Sequence, residues 1–197
     1  MLFLVCHRPA ALLPTIRSRC RPLPLAPLGA DDMACALDQA GISVGDAAPV
    51  AELAHGSVGA AVGLVTLEGT ALYARLVALL EGLPRGMDRP AVLALAQAAT
   101  ARGAEARRDL TFDLLGQWLM RAARTGAGHA PAAEAARGEA ALCARLAPTP
   151  AAARDWAEAQ ARLGARVRAG LAVNLDPAGL LLDMVREIET VAARHAA

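Results

Sequence analysis

Arg19 is the residue of this chain whose type and setting best suit chemistry on another molecule. It lies in residues 12–20, LLPTIRSRC, between Ser18 and Cys20. A guanidinium stays charged and presents a planar fork of donors, so it can neutralise the charge that develops on a transferred phosphoryl group. The alternative is that Arg19 pairs with a carboxylate of its own chain and only stabilises the fold.

Two apolar segments flank Arg19. Residues 2–6, LFLVC, are five consecutive apolar residues, which predicts a strand buried in a parallel sheet. Residues 21–25, RPLPL, are the second strand candidate, and their prolines confine them to a sheet edge or an irregular position. Two such strands cannot cover each other. We therefore expect that the domain begins upstream of Met1 and that the unpaired N-terminal strand is poorly ordered.

The order of strand, turn, LLPTIRSRC helix and second strand resembles the end of the AAA+ core in clamp-loader subunits. In that family, an arginine inside a Ser-Arg-Cys triplet reaches the ATP of the next subunit. The resemblance implies that Ser18, Arg19 and Cys20 form this motif, with Arg19 as an arginine finger acting in trans. Such fingers contribute on the order of 10³ to 10⁵ in rate. The resemblance also places His7 at sensor 1, where ATP-hydrolysing relatives more often carry Thr or Asn.

A second motif, residues 56–61, GSVGAA, is similar to the sensor 2 motif that opens the last helix of the AAA+ lid. Active ATPases place a nucleotide-contacting arginine there, and the matching position here is Gly59. The sequence contains neither a Walker A motif nor any lysine. The resemblance therefore implies a non-hydrolysing subunit of the δ′ type, which holds no cofactor because a neighbouring subunit binds the ATP. An ATP-hydrolysing subunit is the disfavoured alternative, since it requires a strict P-loop upstream.

Helices are predicted for most of the remaining chain. Hydrophobic residues make up 55% and aromatic residues 3%, with Ala and Leu dominant, and both residues favour helices. Asp31 and Asp32 are expected to form the N-cap of a helix that ends at Gly41. Short helices are predicted over residues 49–55 and, with Ser57 as the cap, over residues 58–67.

Longer helices are predicted from Thr70 onwards. Leucine stripes predict one helix before the loop PRGMDRP and another over residues 105–124. Pro150 suits the first turn of a helix that runs to Gly170. Asp176 and Pro177 begin the last helix, and the motif Asn174-Leu175-Asp176-Pro177 is interpreted as structural. Residues 124–150 are Ala-, Gly- and Arg-rich and receive no firm assignment.

The fold class is therefore expected to be mainly α, with a remnant of an α/β AAA+ core. Three parts are predicted: the end of the AAA+ core over 1–26, a three-helix lid over 27–69, and a helical C-terminal collar bundle over 70–197. The last boundary depends on helix length and apolar pattern alone.

Composition excludes several other classes of protein. The net charge of +1 gives no support to a polyanion-binding protein driven by bulk electrostatics, and all 20 basic residues are arginines. The cysteines show no CxxC spacing and are expected to be reduced, buried thiols of a cytoplasmic protein: Cys6, Cys20, Cys35 and Cys143. His55, His129 and His195 are isolated, so no metal site is expected. Neither a signal peptide nor a membrane span is expected.

The resemblance implies a role in DNA replication within the bacterial DNA polymerase III holoenzyme, whose enzymatic activity is DNA-directed nucleotidyl transfer. The implied partners are the other clamp-loader subunits of a hetero-pentameric ring and, through that assembly, the sliding clamp and primed DNA. No intrinsic ATPase activity is expected. The alternative from another class is an all-helical adaptor or scaffold whose first 25 residues only imitate an AAA+ remnant.

Overall fold

The computed structural model describes residues 3–6, 8–101 and 103–195, and this part of the chain is mainly helical, as predicted. A short 3-10 turn over Pro9–Ala11 is followed by ten α-helices within the described ranges. Their bounds are α1 Pro14–Arg17, α2 Ala30–Gln39, α3 Ala47–Leu53, α4 Val58–Thr66, α5 Gly69–Leu80, α6 Arg89–Thr100, α7 Glu105–Gly126, α8 Glu139–Leu146, α9 Pro150–Ala172 and α10 Pro177–Arg194.

Helices α2, α3 and α4 pack against one another as a small group. Helix α2 begins at Ala30 with Gly29 as its N-cap, so the prediction that Asp31 and Asp32 form the cap is wrong. Both carboxylates lie in the first turn, where their negative charge interacts favourably with the positive end of the helix dipole. Gly56 has φ +72°, and a Cβ there would lie 2.5 Å from the backbone nitrogen of Leu28, so this turn requires glycine.

Helices α7 and α9 form the centre of the larger group. Their apolar faces meet at Trp118 and Trp156, whose rings pack edge to face with centroids 5.4 Å apart. The Trp156 indole donates to the Leu146 carbonyl over 2.9 Å. Gly126 lets the end of α7 lie close to the backbone at Ala147, because a Cβ at residue 126 would lie 2.8 Å from the Ala147 oxygen.

The remaining helices surround this pair. Helices α5, α6 and α8 pack on α7, and α10 packs on α6 and α9. The predicted apolar stripe of the last helix is confirmed, since each of its members is buried: Leu181, Met184, Val185, Ile188 and Val191. Asp176 caps this helix as predicted, accepting from the backbone nitrogens of Ala178 and Gly179 over 3.2 and 3.0 Å.

Two helices were not predicted from the sequence. Helix α6 carries apolar residues around most of its surface and so lacks a clear period, although Asp88 and Pro90 stand where a helix start signal belongs. Helix α8 lies in the Ala- and Gly-rich residues 124–150 and begins after Gly138, which has φ +83°. Packing on neighbouring helices sets the position of both: α6 packs on α7 and α10, and α8 packs on α7.

The predicted N-terminal strands are wrong, since the described residues contain no strand. Phe3, Leu4 and Val5 have no regular structure and are 74%, 53% and 89% exposed, and Leu2 lies outside the described residues. Residues 21–25 are likewise exposed and irregular. The physical reason is that neither segment has a neighbouring strand to accept its backbone hydrogen bonds.

The apolar core is one continuous cluster that runs from Met33 to Ala192. It includes residues on both sides of the predicted boundary at 69/70, which falls at the start of α5. Residues 3–25 contribute no buried side chain to it among those described. The division into three domains stays a prediction.

Within the described ranges, no single helix is long and apolar enough to cross a bilayer. Only α3 and α4 taken together reach that length and composition, and they are bent by 116° at the break between them.

Limited trypsin digestion is expected to cut first after Arg17 and Arg19. Both side chains are exposed, and the four-residue helix that ends at Arg17 buries nothing. Segments with few buried contacts open at little free-energy cost. Mass spectrometry of timed digests should show a product that starts at Ser18 or Cys20 and keeps its helical circular dichroism. Greater protease resistance in residues 3–25 than in α7 or α9 would contradict this fold.

Candidate functional site

The Ser-Arg-Cys triplet forms one exposed turn that follows α1. The Ser18 hydroxyl donates to the Thr15 carbonyl over 3.3 Å, and the Arg19 guanidinium donates to the same carbonyl over 3.1 Å. The backbone nitrogens of Arg19 and Cys20 both donate to the Ile16 carbonyl. These local bonds hold the turn to its own helix and leave its side chains in solvent.

Arg19 has no ion-pair partner among the described residues, because no carboxylate there lies within 4.0 Å of its guanidinium. An arginine side chain has five N–H donors, and in that part of the chain the Arg19 guanidinium makes one hydrogen bond, to the Thr15 carbonyl. The alternative in which Arg19 pairs with a carboxylate of its own chain gains no support. Cys20 beside it is an exposed free thiol.

Gly59 lies in the first turn of α4, as the motif predicts. The Ser57 hydroxyl caps this helix, accepting from the Ala60 nitrogen over 3.4 Å. Apart from the neighbouring residues of its own helix, no atom of the described chain lies within 4 Å of the place where a Cβ of residue 59 would stand, so a larger side chain has room there. Neither a hydrogen bond nor an ion pair joins α4 to the Arg19 turn within the described residues. His7, the predicted sensor 1 position, lies outside them.

A buried ion pair between Arg121 of α7 and Glu139 of α8 is the strongest polar feature of the molecule. The two residues are 5% and 2% exposed. The Nε and Nη2 atoms of Arg121 donate to the two Glu139 oxygens over 2.6 and 3.0 Å, so the pair is bidentate. Arg121 also donates to the Ala133 carbonyl over 2.7 Å, and the Ala135 nitrogen donates to Glu139 over 2.8 Å.

Two further helices send polar side chains to this ion pair. Glu52 of α3 accepts from the Arg121 Nη1 atom over 3.0 Å, and the Tyr73 hydroxyl of α5 donates to Glu139. Burial and the Glu139 charge raise the pKa of Tyr73, so it remains a neutral donor. Burial lowers the pKa of Arg121, but its bonds to Glu139 and Glu52 outweigh that effect and raise it. The resulting Arg121 network consists of Glu52, Tyr73, Arg121 and Glu139.

The cysteines do not all match the expected buried thiols. Cys143 is buried beside the Arg121 network, and burial followed by the Glu139 charge raises its thiol pKa to about 12. Cys20 and Cys35 are exposed, and Cys6 is half-buried, so for these three the expectation of burial is wrong. The reason is that Cys6 and Cys20 belong to the N-terminal segment outside the core, while Cys35 faces solvent on α2.

A polar cleft of about 440 Å³ lies between α3, α7 and α9. The exposed Arg124 and Arg168 line it, and Gly164 leaves room for Arg168, whose Nη1 atom lies 3.2 Å from a Cβ built at Gly164. Burial, and then the Asp109 charge, raise the pKa of Asp113 in this cleft. None of the residues that line this cleft belongs to the Arg19 turn.

A metal centre requires at least three ligands that converge, and no such group of His, Cys, Asp or Glu occurs within the described ranges. His195 instead contacts Asp155 over 2.9 Å, which joins α9 to the end of α10.

Sequence reasoning missed the Arg121 network, although one signal for it exists. Arg121 follows Leu114 and Trp118 at spacings of seven and three, which places a charge on the apolar face of α7. A charged residue on such a face requires a buried partner of opposite charge. The partner could not be chosen from sequence, because Glu139 lies in the stretch that lacked an assignment.

No family model, curated protein sequence or solved structure matches this chain. The likeness to clamp-loader subunits therefore rests on the residues quoted for it.

Replacing Arg121 with Met is expected to lower the free energy of unfolding by about 3–5 kcal/mol, because Glu139 keeps its charge inside the core without a partner. The matched control is Arg124→Met on the same helix, where the side chain is exposed and should change stability by less than about 1 kcal/mol. Urea unfolding followed by circular dichroism measures both. Equal effects of the two substitutions would show that the buried pair contributes no more than a surface charge.

Proposed function

We propose that this chain is a non-hydrolysing, δ′-type subunit of a clamp loader that places a sliding clamp on primed DNA during replication in the bacterial cytoplasm. Arg19 is the finger that completes the ATP site of a neighbouring subunit. One observation carries the proposal: in the described chain the Arg19 guanidinium is exposed, and no carboxylate there lies within ion-pair distance of it.

The chemistry of that guanidinium supports the proposal. A finger must carry its charge to another molecule, so it must not be neutralised in its own subunit beforehand. The Arg19 guanidinium donates to the Thr15 carbonyl, which fixes the side chain locally without cancelling its charge.

The position of Gly59 supports the non-hydrolysing assignment. It occupies the first turn of α4 with free space around it, so its lack of a side chain is not forced by packing. An arginine at that position has room, and its absence removes the contact by which an active subunit holds nucleotide.

Within the proposed assembly, residues 27–69 and 70–197 serve as lid and collar. The described N-terminal residues form no strand and lie outside the apolar core, so the proposal rests on the Arg19 turn and not on a sheet.

A helical adaptor is the second candidate function, and one observation favours it. The apolar core from Met33 to Ala192 includes none of the residues 3–25 that the structure describes. The helical part therefore has its own core and could present its surfaces to partners without an AAA+ domain.

The decisive experiment is DNA-stimulated ATP hydrolysis by a clamp loader reconstituted with this chain and its motor subunits. Arg19→Ala is expected to slow hydrolysis at the site that Arg19 completes by about 10³-fold or more. Single-turnover measurement isolates that site from the others in the ring. Arg17→Ala is the matched control, since Arg17 is exposed two residues earlier and should have no effect.

Unchanged hydrolysis in Arg19→Ala, in a complex that contains the chain at full stoichiometry, contradicts the finger role. Failure of the wild-type chain to join motor subunits at all favours the adaptor.

A further inference from the structure

The two carboxylates of the Arg121 network are held unequally. Glu139 accepts two hydrogen bonds from Arg121 and is 2% exposed, so its carboxylate lies inside the core. Glu52 accepts one bond, from the Arg121 Nη1 atom, and its side chain is 28% exposed. An ion pair that reaches solvent costs less to separate than a buried one, because water solvates the freed charges. The Glu52 bond therefore breaks at lower cost than the Glu139 bonds.

The polar cleft between α3, α7 and α9 lies beside the Glu52 bond. Glu52 and Arg121 both line this cleft. When Glu52 leaves Arg121, water in the cleft can hydrate its carboxylate and accept a hydrogen bond from the Arg121 Nη1 atom. Arg121 meanwhile keeps its bonds to Glu139 and to the Ala133 carbonyl. Neither charge is then left buried without a partner.

The Glu52 bond joins the small group of helices, α2, α3 and α4, to the larger group at α7. Among the described residues, one other side-chain hydrogen bond crosses between these groups, from the Arg107 Nη1 atom to the Leu67 carbonyl. Leu67 is the residue that ends α4, so this second contact lies at the junction with α5. Arg107 and Arg121 lie about 20 Å apart along the α7 axis, at about 1.5 Å per residue. The small group therefore has one polar anchor at the chain junction and one far from it.

The other contacts between the two groups are apolar. Helices α3 and α4 pack on α5, and their buried residues belong to the common core. Apolar contact is non-directional, so it opposes separation without selecting one orientation of the small group. The Glu52 bond selects the orientation in which α3 lies against α7, because a hydrogen-bonded ion pair requires a defined distance and angle.

We propose that the Glu52–Arg121 bond is a latch that closes the small group onto α7. Its release lets α2, α3 and α4 open as one unit while α7 and α9 remain folded. The junction at Leu67, held by Arg107, is the pivot of this opening. Folded proteins open in such cooperative units at a lower free energy than global unfolding requires. The latch is independent of the Arg19 turn and of the proposed role in clamp loading.

Hydrogen exchange of the full chain, followed by mass spectrometry at several urea concentrations, tests the latch. In the wild type, the amides of α2, α3 and α4 should share one opening, with protection factors at least about tenfold lower than those of α7 and α9. This opening should also depend less steeply on urea than global unfolding does, because it exposes less surface.

Two substitutions at Glu52 and one control test the bond itself. Glu52→Ala should lower protection in α2, α3 and α4 by about tenfold, because a partly exposed hydrogen bond between charged groups is lost. Glu52→Gln keeps an acceptor oxygen for Arg121 and should lower protection less. Asp38→Ala is the matched control, since Asp38 is an exposed carboxylate of α2 without an ion-pair partner among the described residues. It should change protection by less than about threefold.

Two results would overturn the proposal. Equal protection and equal urea dependence in α2–α4 and in α7 and α9 would show that the small group opens only when the whole molecule unfolds. Equal protection of α2–α4 in Glu52→Ala and Asp38→Ala would show that the Glu52 bond does not hold the small group closed.

Discussion

The ion pair between Arg121 and Glu139 constrains the arrangement of the helices more than any other polar contact in the described chain. Both side chains lie inside an apolar core, where an unpaired charge is costly, so each must remain within bonding distance of the other. Glu52 and Tyr73 complete the shell of partners around them. Because these four residues come from α3, α5, α7 and α8, the network fixes the relative positions of four helices that hydrophobic contact alone would allow to shift.

The placement of α7 at the centre has two consequences for the surface. Helices α5 and α6 both pack against α7, and a groove of about 550 Å³ remains between them. The core is also closed without residues 3–25 as far as the structure describes them, so the Arg19 turn remains in solvent. The described N-terminal residues therefore lie outside the packed helices.

Local signals in the sequence account for most of the helices but for little of their assembly. Capping residues and proline predicted the starts of α4, α9 and α10, because a cap is a contact between residues two or three apart. Helix α8 lacked such a signal and was missed, while α6 was missed despite Asp88 and Pro90 at its start, because its apolar residues show no clear period. The strand predicted over residues 2–6 is wrong, because an apolar run indicates burial but supplies no neighbouring strand to pair with. The Arg19 turn was located from its motif, whereas the pairing of Arg121 with Glu139 joins residues whose contact no local pattern encodes.

Arg121 and Glu139 stabilise the core as a pair, and a double-mutant cycle measures the coupling between them. The free energies of unfolding are measured for the wild type, Arg121→Met, Glu139→Met and the double variant. Arg121→Met leaves Glu139 buried without a counter-charge, and Glu139→Met leaves Arg121 with Glu52 as its one carboxylate partner. The double change removes both buried charges, so the double variant should lose about 2 kcal/mol or more less than the sum of the single losses. Losses that add within about 0.5 kcal/mol would contradict the claim, because additivity means that the two side chains act independently.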